Sequence, residues 1–187
     1  MTSHPGHPGH SVLLVPVPAL EPFVVERHRH YDESYVSADP AFVHAHVTAL
    51  GPFLPPEQVT DRVARTIDGI ACATAPFDFM LERVATFPNG IVHLLPEPDD
   101  AFRALTSALS QAFPQCPPYD GAFPEPVPHL TLDALSDAVS ESSTRRAAAP
   151  WLPAVCRADR VDLAWYEPHG CRILRSWRLG GAAVAPA

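Results

Sequence analysis

Positive charge is scarce in this sequence. It contains no lysine, and its 13 basic residues, all of them arginines, face 21 aspartates and glutamates, which gives a formal net charge of −8. Sequence-independent binding of nucleic acids depends on many cations that neutralise backbone phosphates, so this composition argues against that class of protein. A nucleotide ligand of this chain should therefore be small, or should be gripped locally.

Long hydrophobic runs and paired cysteine motifs are missing as well. The longest apolar run, residues 12–20, is broken by Pro16 and Pro18 and is too short to span a bilayer. No basic region precedes a hydrophobic segment near the amino terminus, so we expect no signal peptide, no membrane association and a cytoplasmic location. No Cys-x-x-Cys spacing occurs, which argues against a zinc knuckle or a redox motif. The four cysteines are Cys72, Cys116, Cys156 and Cys171.

Proline, by contrast, is abundant in a chain that otherwise has the composition of a globular domain. A hydrophobic fraction of 47% with 18% charged residues is typical of a folded protein of this length. The 23 prolines predict short helices and many loops. We expect residues 1–11, rich in proline, glycine and histidine, to form a disordered tail, residues 12–180 to form one domain, and residues 181–187 to form a flexible tail.

Hydrophobic periodicity predicts a mixture of strands and helices. Apolar residues at helical spacing predict helices over residues 19–32, 55–73, 99–113 and 135–149. A β-branched apolar run predicts a first strand over residues 12–17. Two hairpins are predicted, over residues 77–95 with a turn at Asn89-Gly90 and over residues 161–179 with a turn at Pro168-His169-Gly170.

A His-x-Thr motif occurs twice, at His46-Val47-Thr48 and at His129-Leu130-Thr131. In a strand, side chains at positions i and i+2 point to the same face, roughly 6.5 to 7 Å apart, so each motif presents one imidazole and one hydroxyl together. If the two strands face one another, one imidazole can act as general base, the other as general acid, and the hydroxyls can donate to phosphate oxygens. This chemistry needs no metal ion.

The order of the elements also predicts an internal repeat. Each half carries a His-x-Thr strand, then a helix, then a hairpin, and the turns at Asn89-Gly90 and His169-Gly170 recur at nearly the same offset as the motifs. A pseudo-two-fold arrangement would place both motif strands on one shared groove.

The paired motifs, with Leu50-Gly51-Pro52-Phe53 after the first and Pro128 before the second, resemble the 2H phosphoesterase superfamily, and within it the 2′-5′ RNA ligase family. The resemblance runs from about residue 11 to residue 179. It implies an α/β (α+β) bilobal fold, in which two pseudo-symmetric lobes with antiparallel-rich sheets surround a central groove and the helices lie outside. Members often have a hydrophobic residue directly after the first motif threonine, where this chain has Ala49.

The resemblance also implies metal-independent, cofactor-free phosphodiester chemistry. Carried over residue by residue, His46 and His129 become the catalytic acid-base pair, while Thr48 and Thr131 hold the phosphate oxygens. Members of the superfamily act on 2′,3′-cyclic nucleotides, ADP-ribose cyclic phosphate, 2′-5′-linked oligonucleotides and RNA ends. We therefore expect a monomeric phosphodiesterase that hydrolyses a cyclic or 2′-5′ phosphodiester of a small nucleotide or short RNA, without a stable nucleic-acid complex.

Three alternatives stay open at this stage. The same groups run in reverse would make a 2′-5′ RNA ligase, and a binding module on the same fold would recognise nucleotides without turnover. A metal-dependent hydrolase could instead use four histidines, of which the first two would share a strand face. These histidines are His44, His46, His93 and His129.

Several side chains near the motifs are candidates for substrate contacts. Tyr119, Phe123 and Phe53 flank the motifs and could stack on a nucleobase, although packing in a core or a loop explains each of them as well. Arg83 and Arg160 stand at matching positions of the repeat and could contact phosphate, with solvated hairpin arginines as the alternative.

Overall fold

The computed structural model describes residues 9–123 and 125–181, apart from the side chain of His30. They form two four-stranded antiparallel sheets and four helices, so the predicted α+β class with antiparallel sheets is confirmed. The strands are β1 (His10–Pro16), β2 (His46–Leu50), β3 (Phe77–Thr86), β4 (Ile91–Glu97), β5 (Leu130–Ala134), β6 (Ala154–Ala158), β7 (Arg160–Tyr166) and β8 (Arg172–Arg178). The helices are α1 (Glu21–Asp32), α2 (Asp61–Ala73), α3 (Asp100–Ala112) and α4 (Glu141–Ala148).

The strand order makes each sheet a product of both halves of the chain. One sheet has the order β2-β1-β7-β8 and the other has the order β5-β4-β3-β6. Strand β7 of the second half pairs with β1 of the first half. Strand β3 of the first half pairs with β4, which belongs to the second half. Both motif strands, β2 and β5, lie at sheet edges and contact one another.

The repeat is real, but its unit differs from the predicted one. The segments β1-α1-β2-α2-β3 and β4-α3-β5-α4-β7 have the same order, and they occupy equivalent positions in the two sheets. The hairpin strands that follow β3 and β7 are not equivalent, since β4 pairs with a motif strand whereas β8 forms an outer edge. The short strand β6, which the sequence analysis missed, takes the position that β8 occupies in the other sheet.

A β-bulge recurs at the same place in both motif strands. Thr48 pairs with Leu14 but Leu50 pairs with Leu13, which leaves Ala49 as the extra residue. In β5, Thr131 pairs with His93 and Asp133 with Val92, which leaves Leu132 as the extra residue. Bulges bend a strand and redirect its side chains, so the residue after each motif threonine serves the same purpose in both halves.

Helix boundaries follow from capping and from burial of one face. Helix α2 begins after Thr60, whose hydroxyl accepts the Val63 N–H, and it starts later than predicted because the chain before it forms a short turn. Helix α4 is shorter than predicted and begins with a capping box between Ser140 and Ser143. The apolar faces of α2 and α3 pack into one hydrophobic core that also contains residues of both sheets. The two lobes therefore share a core.

The predicted domain boundaries lie close to the ends of the described residues. Strand β1 begins at His10, so His10 and Ser11 belong to the sheet and not to the predicted tail. Residues 1–8 and 182–187 lie outside the described residues, and the division into one domain and two tails stays a prediction. Within residues 9–123 and 125–181, no helix is long and apolar enough to cross a bilayer.

Candidate active site

The two motif histidines lie at the facing edges of the two sheets. His46 is the first residue of β2, and His129 directly precedes β5. A cleft of about 820 Å³ is lined by residues of both sheets, among them His46, Thr48 and Thr131. His129 is not among the residues that line this cleft, but its ring stacks on the Tyr119 ring of the cleft wall with 6.3 Å between centroids, and its charge acts on His46. The cleft is large enough to hold a ligand of the size of a nucleotide.

Each motif histidine is held by the same backbone hydrogen bond. Nδ1 of His46 lies 2.7 Å from the carbonyl oxygen of His44, and Nδ1 of His129 lies 2.8 Å from the carbonyl oxygen of Val127. A carbonyl can only accept, so Nδ1 carries the hydrogen in both rings. Nε2 is therefore the atom of each ring that can take up or release a proton.

Burial changes the acidity of both rings in the same direction. It lowers the pKa of His46 to about 4 and also lowers the pKa of His129, because a low-dielectric environment disfavours the charged form. In the case of His46, positive charge on His28, His129 and His44 adds to the effect. At neutral pH the unliganded site therefore holds a neutral His46.

His44 is a structural residue that fixes the position of His46. Its Nδ1 lies 2.6 Å from Oε1 of Glu21, and its Nε2 accepts the backbone N–H of Ser37 at 3.0 Å. The second oxygen of Glu21 accepts the N–H of Ala45 at 2.8 Å, so the strand entrance is bound to α1. The hypothesis that His44 and His46 form a metal pair is wrong for His44, because β2 begins only at His46 and both ring nitrogens of His44 are engaged.

His93 contacts the ring of His129 and, like His129, is not part of the cleft lining. It is buried, its Nδ1 donates to the carbonyl oxygen of Ile91 at 3.1 Å, and its ring stacks on Phe87 with 3.7 Å between centroids. The rings of His93 and His129 meet edge to face at 5.4 Å. Among the described residues there is no group of three or more His, Cys, Asp or Glu side chains that could hold a metal ion.

Tyr166, which the sequence analysis missed, lies next to His46. Its hydroxyl is 3.5 Å from Nδ1 of His46, and the two ring centroids are 6.1 Å apart. His10 stacks on the other side of Tyr166 at 5.5 Å, and both residues line the cleft. Burial raises the pKa of the Tyr166 phenol, which therefore stays protonated. These rings come together because β7, from the second half of the chain, pairs with β1. Hydrophobic periodicity along a single strand does not predict which strand it pairs with.

The aromatic candidates separate into two that line the cleft and one that does not. Tyr119 and Phe123 line it with ring centroids 5.7 Å apart, and Phe123 is half exposed. The Tyr119 side chain hydrogen bonds with Thr48, and its N–H donates to the carbonyl oxygen of Gly51 at 2.7 Å. Phe53 is fully buried and packs edge to face on Phe113 at 5.0 Å, so its predicted contact with a substrate is wrong.

Helix α1 supplies a polar wall that the sequence analysis also missed. Arg27, His28 and Tyr31 line the cleft, where Arg27 donates from Nε and Nη2 to the same oxygen of Asp133 at 2.8 and 2.7 Å. Asp133 is buried at the end of β5, two residues after Thr131. The helical stripe of α1 was interpreted only as a packing face, so these polar positions went unnoticed.

The two arginines proposed for phosphate contact lie away from the cleft. Arg83 is exposed, and its guanidinium is 3.8 Å from a carboxylate oxygen of Glu97. Arg160 pairs with Asp162 at 3.0 Å. Neither residue belongs to the cleft lining, so the alternative of a solvated or paired arginine describes both.

Comparison with known proteins agrees with this arrangement. The crystal structure of E. coli LigT complexed with 3′-AMP is similar with a TM-score of 0.57 at 15% sequence identity, covering 92% of this chain and 99% of that chain. The crystal structure of TT0787 of Thermus thermophilus gives a TM-score of 0.58 at 18% identity, with 92% and 98% covered. A crystal structure described as a phosphoesterase gives 0.53 at 15% identity, with 92% and 99% covered.

At such identities these likenesses establish the fold. No curated protein sequence matches the chain significantly. A family model described as the 2′-5′ RNA ligase superfamily matches residues 16–170, which is most of the chain. The chain therefore belongs to the 2′-5′ RNA ligase superfamily, of the 2H phosphoesterase type.

Proposed function

We propose that the protein hydrolyses a cyclic phosphodiester of a small nucleotide by two-histidine acid-base catalysis. The observation that carries the proposal is the matched pair of imidazoles at facing sheet edges, each fixed through Nδ1 to a carbonyl and each followed by a motif threonine. E. coli LigT has been crystallised with 3′-AMP, with phosphate and with ATP, and these complexes support a small nucleotide as the substrate of this chain too.

The two histidines have different roles in the proposed reaction. Nε2 of neutral His46 takes a proton from a water molecule whose oxygen attacks phosphorus, and Nε2 of protonated His129 gives a proton to the leaving sugar oxygen. One P–O bond forms and one breaks, so the cyclic diester becomes a monoester. His46 is assigned as the base because burial lowers its pKa and so keeps its ring neutral at neutral pH.

The threonines and the aromatic wall bind the substrate. Thr48 and Thr131 donate hydrogen bonds to the non-bridging oxygens, where negative charge accumulates in the transition state. The half-exposed Phe123 and the partly buried Tyr119 line one side of the cleft, where a nucleobase can stack. In this mechanism both histidines and both threonines of the motifs have a role, and no cofactor is needed.

The direct test is turnover of a panel of substrates, namely nucleoside 2′,3′-cyclic phosphates, ADP-ribose cyclic phosphate and 2′-5′ dinucleotides. We expect hydrolysis of a cyclic diester at an unchanged rate in EDTA. Loss of activity in EDTA that zinc restores would contradict a metal-independent reaction. Binding of these nucleotides without turnover would instead identify a non-catalytic module.

The pH profile of kcat/KM is expected to be a bell on the acidic side of neutrality. His46, with a pKa of about 4, is neutral above about pH 4. The pKa of His129 is lowered from 6.5, so this ring is mostly protonated only at a pH below 6.5. The optimum should therefore lie between about 4 and 6.5. A bound anionic diester favours the charged imidazolium, so the profile of kcat should be shifted to higher pH. A kcat/KM that rises steadily from about pH 6 to about pH 9 would contradict the assignment.

A further inference from the structure

The walls of the cleft offer almost no positive charge. Among the described residues that line it, Arg27 is the only arginine, while Asp32, Asp120 and Asp133 also line it. No lysine can contribute positive charge, because the sequence contains none. Burial lowers the pKa values of His46 and His28, so these two cleft histidines are mostly neutral at neutral pH.

Arg27 does not act as a free cation in this cleft. Two of its nitrogens, Nε and Nη2, donate to one oxygen of Asp133, and the Asp133 side chain is completely buried. Because the carboxylate cannot turn away to solvent, the pair is electrically neutral as a unit. The remaining N–H groups of Arg27 can still bind a neutral acceptor, such as a base carbonyl or a sugar hydroxyl.

Asp32 adds uncompensated negative charge at the end of α1. Its carboxylate accepts the N–H and the hydroxyl of Ser34 at 3.0 and 2.6 Å, and neither donor carries a charge. A negative group about 8 Å from a carboxylate is repelled enough to weaken its binding roughly 2-fold to 30-fold, for effective dielectric constants from about 80 to about 20. A second phosphate on the substrate would meet this repulsion, and among the described residues that line the cleft the paired Arg27 is the only arginine that could offset it.

We propose that the cleft selects cyclic nucleotides whose scissile diester is their only anionic group, and that Asp32 and the neutralised Arg27 set this preference. The inference rests on the proposed function and specifies its substrate class. It disfavours 5′-phosphorylated nucleotides, and with them RNA ends, whose additional phosphates would lie near the same carboxylates.

The experiment compares three forms of one nucleoside 2′,3′-cyclic phosphate, with a free 5′-hydroxyl, a 5′-phosphate or a neutral 5′-O-acetyl group. We expect kcat/KM of the 5′-phosphate form to be roughly tenfold below that of the 5′-hydroxyl form, and the acetyl form to be close to the latter. The deficit should shrink when salt is raised from about 0.02 M to about 0.5 M, because salt screens exposed charges. Equal kcat/KM for the hydroxyl and phosphate forms, or an equal deficit for the acetyl form, would overturn the proposal.

A matched pair of variants localises the effect. Asp32→Asn should raise kcat/KM for the 5′-phosphate form several-fold more than for the 5′-hydroxyl form. Asp61→Asn removes the same charge from the exposed start of α2, outside the cleft lining, and should change neither. An equal response of the two variants would overturn the role of Asp32. Absence of turnover with all three substrates would count against the proposed function itself. Turnover without a preference for the 5′-hydroxyl form would count against the charge selection alone.

Discussion

Replacing His46 or His129 with alanine is expected to lower kcat by about 10²-fold to 10⁴-fold, with a much smaller change in KM. Each imidazole moves a proton in the transition state, and the Nδ1 of each ring is already committed to a backbone carbonyl. Neither His44 nor His93 can replace the lost Nε2, because His44 has both ring nitrogens engaged and His93 is buried. Steady-state kinetics with the 5′-hydroxyl cyclic nucleotide measure the effect.

The two variants should also differ in their pH profiles. His46→Ala should abolish the limb that rises near pH 4, and His129→Ala should abolish the limb that falls at higher pH. His169→Asn is the control, since it removes an exposed histidine at a turn where φ is 58°, a conformation that asparagine tolerates. Full kcat in a folded His46→Ala or His129→Ala protein would exclude two-histidine catalysis.

The sequence predicted the motif strands because their signal is local. The period of two along a strand places His46 with Thr48 and His129 with Thr131, and the repeat requires equivalent positions for both pairs. What the periodicity could not predict is the partner of each strand. The placement of Tyr166 and His10 depends on the exchange of β7 between halves, and pairing over such a distance leaves no pattern in either segment.

The wrong prediction for Phe53 has a different cause. An aromatic residue just after a motif strand is expected both from a stacking surface and from a core, so the residue type does not decide between them. The structure decides in favour of the core, where Phe53 packs on Phe113, whereas Phe123 remains half exposed in the segment between α3 and β5. The wall of α1 was missed because Arg27 and Tyr31 share their helical spacing with apolar residues and therefore also fit a face that packs on the rest of the domain.

Replacing Arg27 with methionine is expected to lower the free energy of unfolding by about 3–5 kcal/mol. The fully buried Asp133 carboxyl group would lose its charged partner and keep, among the described residues, the hydroxyls of Tyr31 and Thr144 as donors. This cluster also connects the halves of the repeat, since Arg27 and Tyr31 belong to α1 whereas Asp133 and Thr144 belong to β5 and α4. The equivalent position in β2 is the buried Leu50, so the polar connection exists on one side of the cleft only.

Urea unfolding of three variants tests this connection. Arg27→Met combined with Asp133→Asn should recover about half of the loss or more, because the amide carries no charge. Its oxygen can accept from one of the two hydroxyls, and its NH2 group can donate to the oxygen of the other. Arg103→Met removes a comparable 2.8 Å contact with Asp99 on the exposed face of α3 and should cost less than about 1 kcal/mol. If Arg27→Met were as mild as Arg103→Met, the pair of Arg27 and Asp133 would not hold the two halves together, and the neutral wall inferred for the cleft would lose its structural basis.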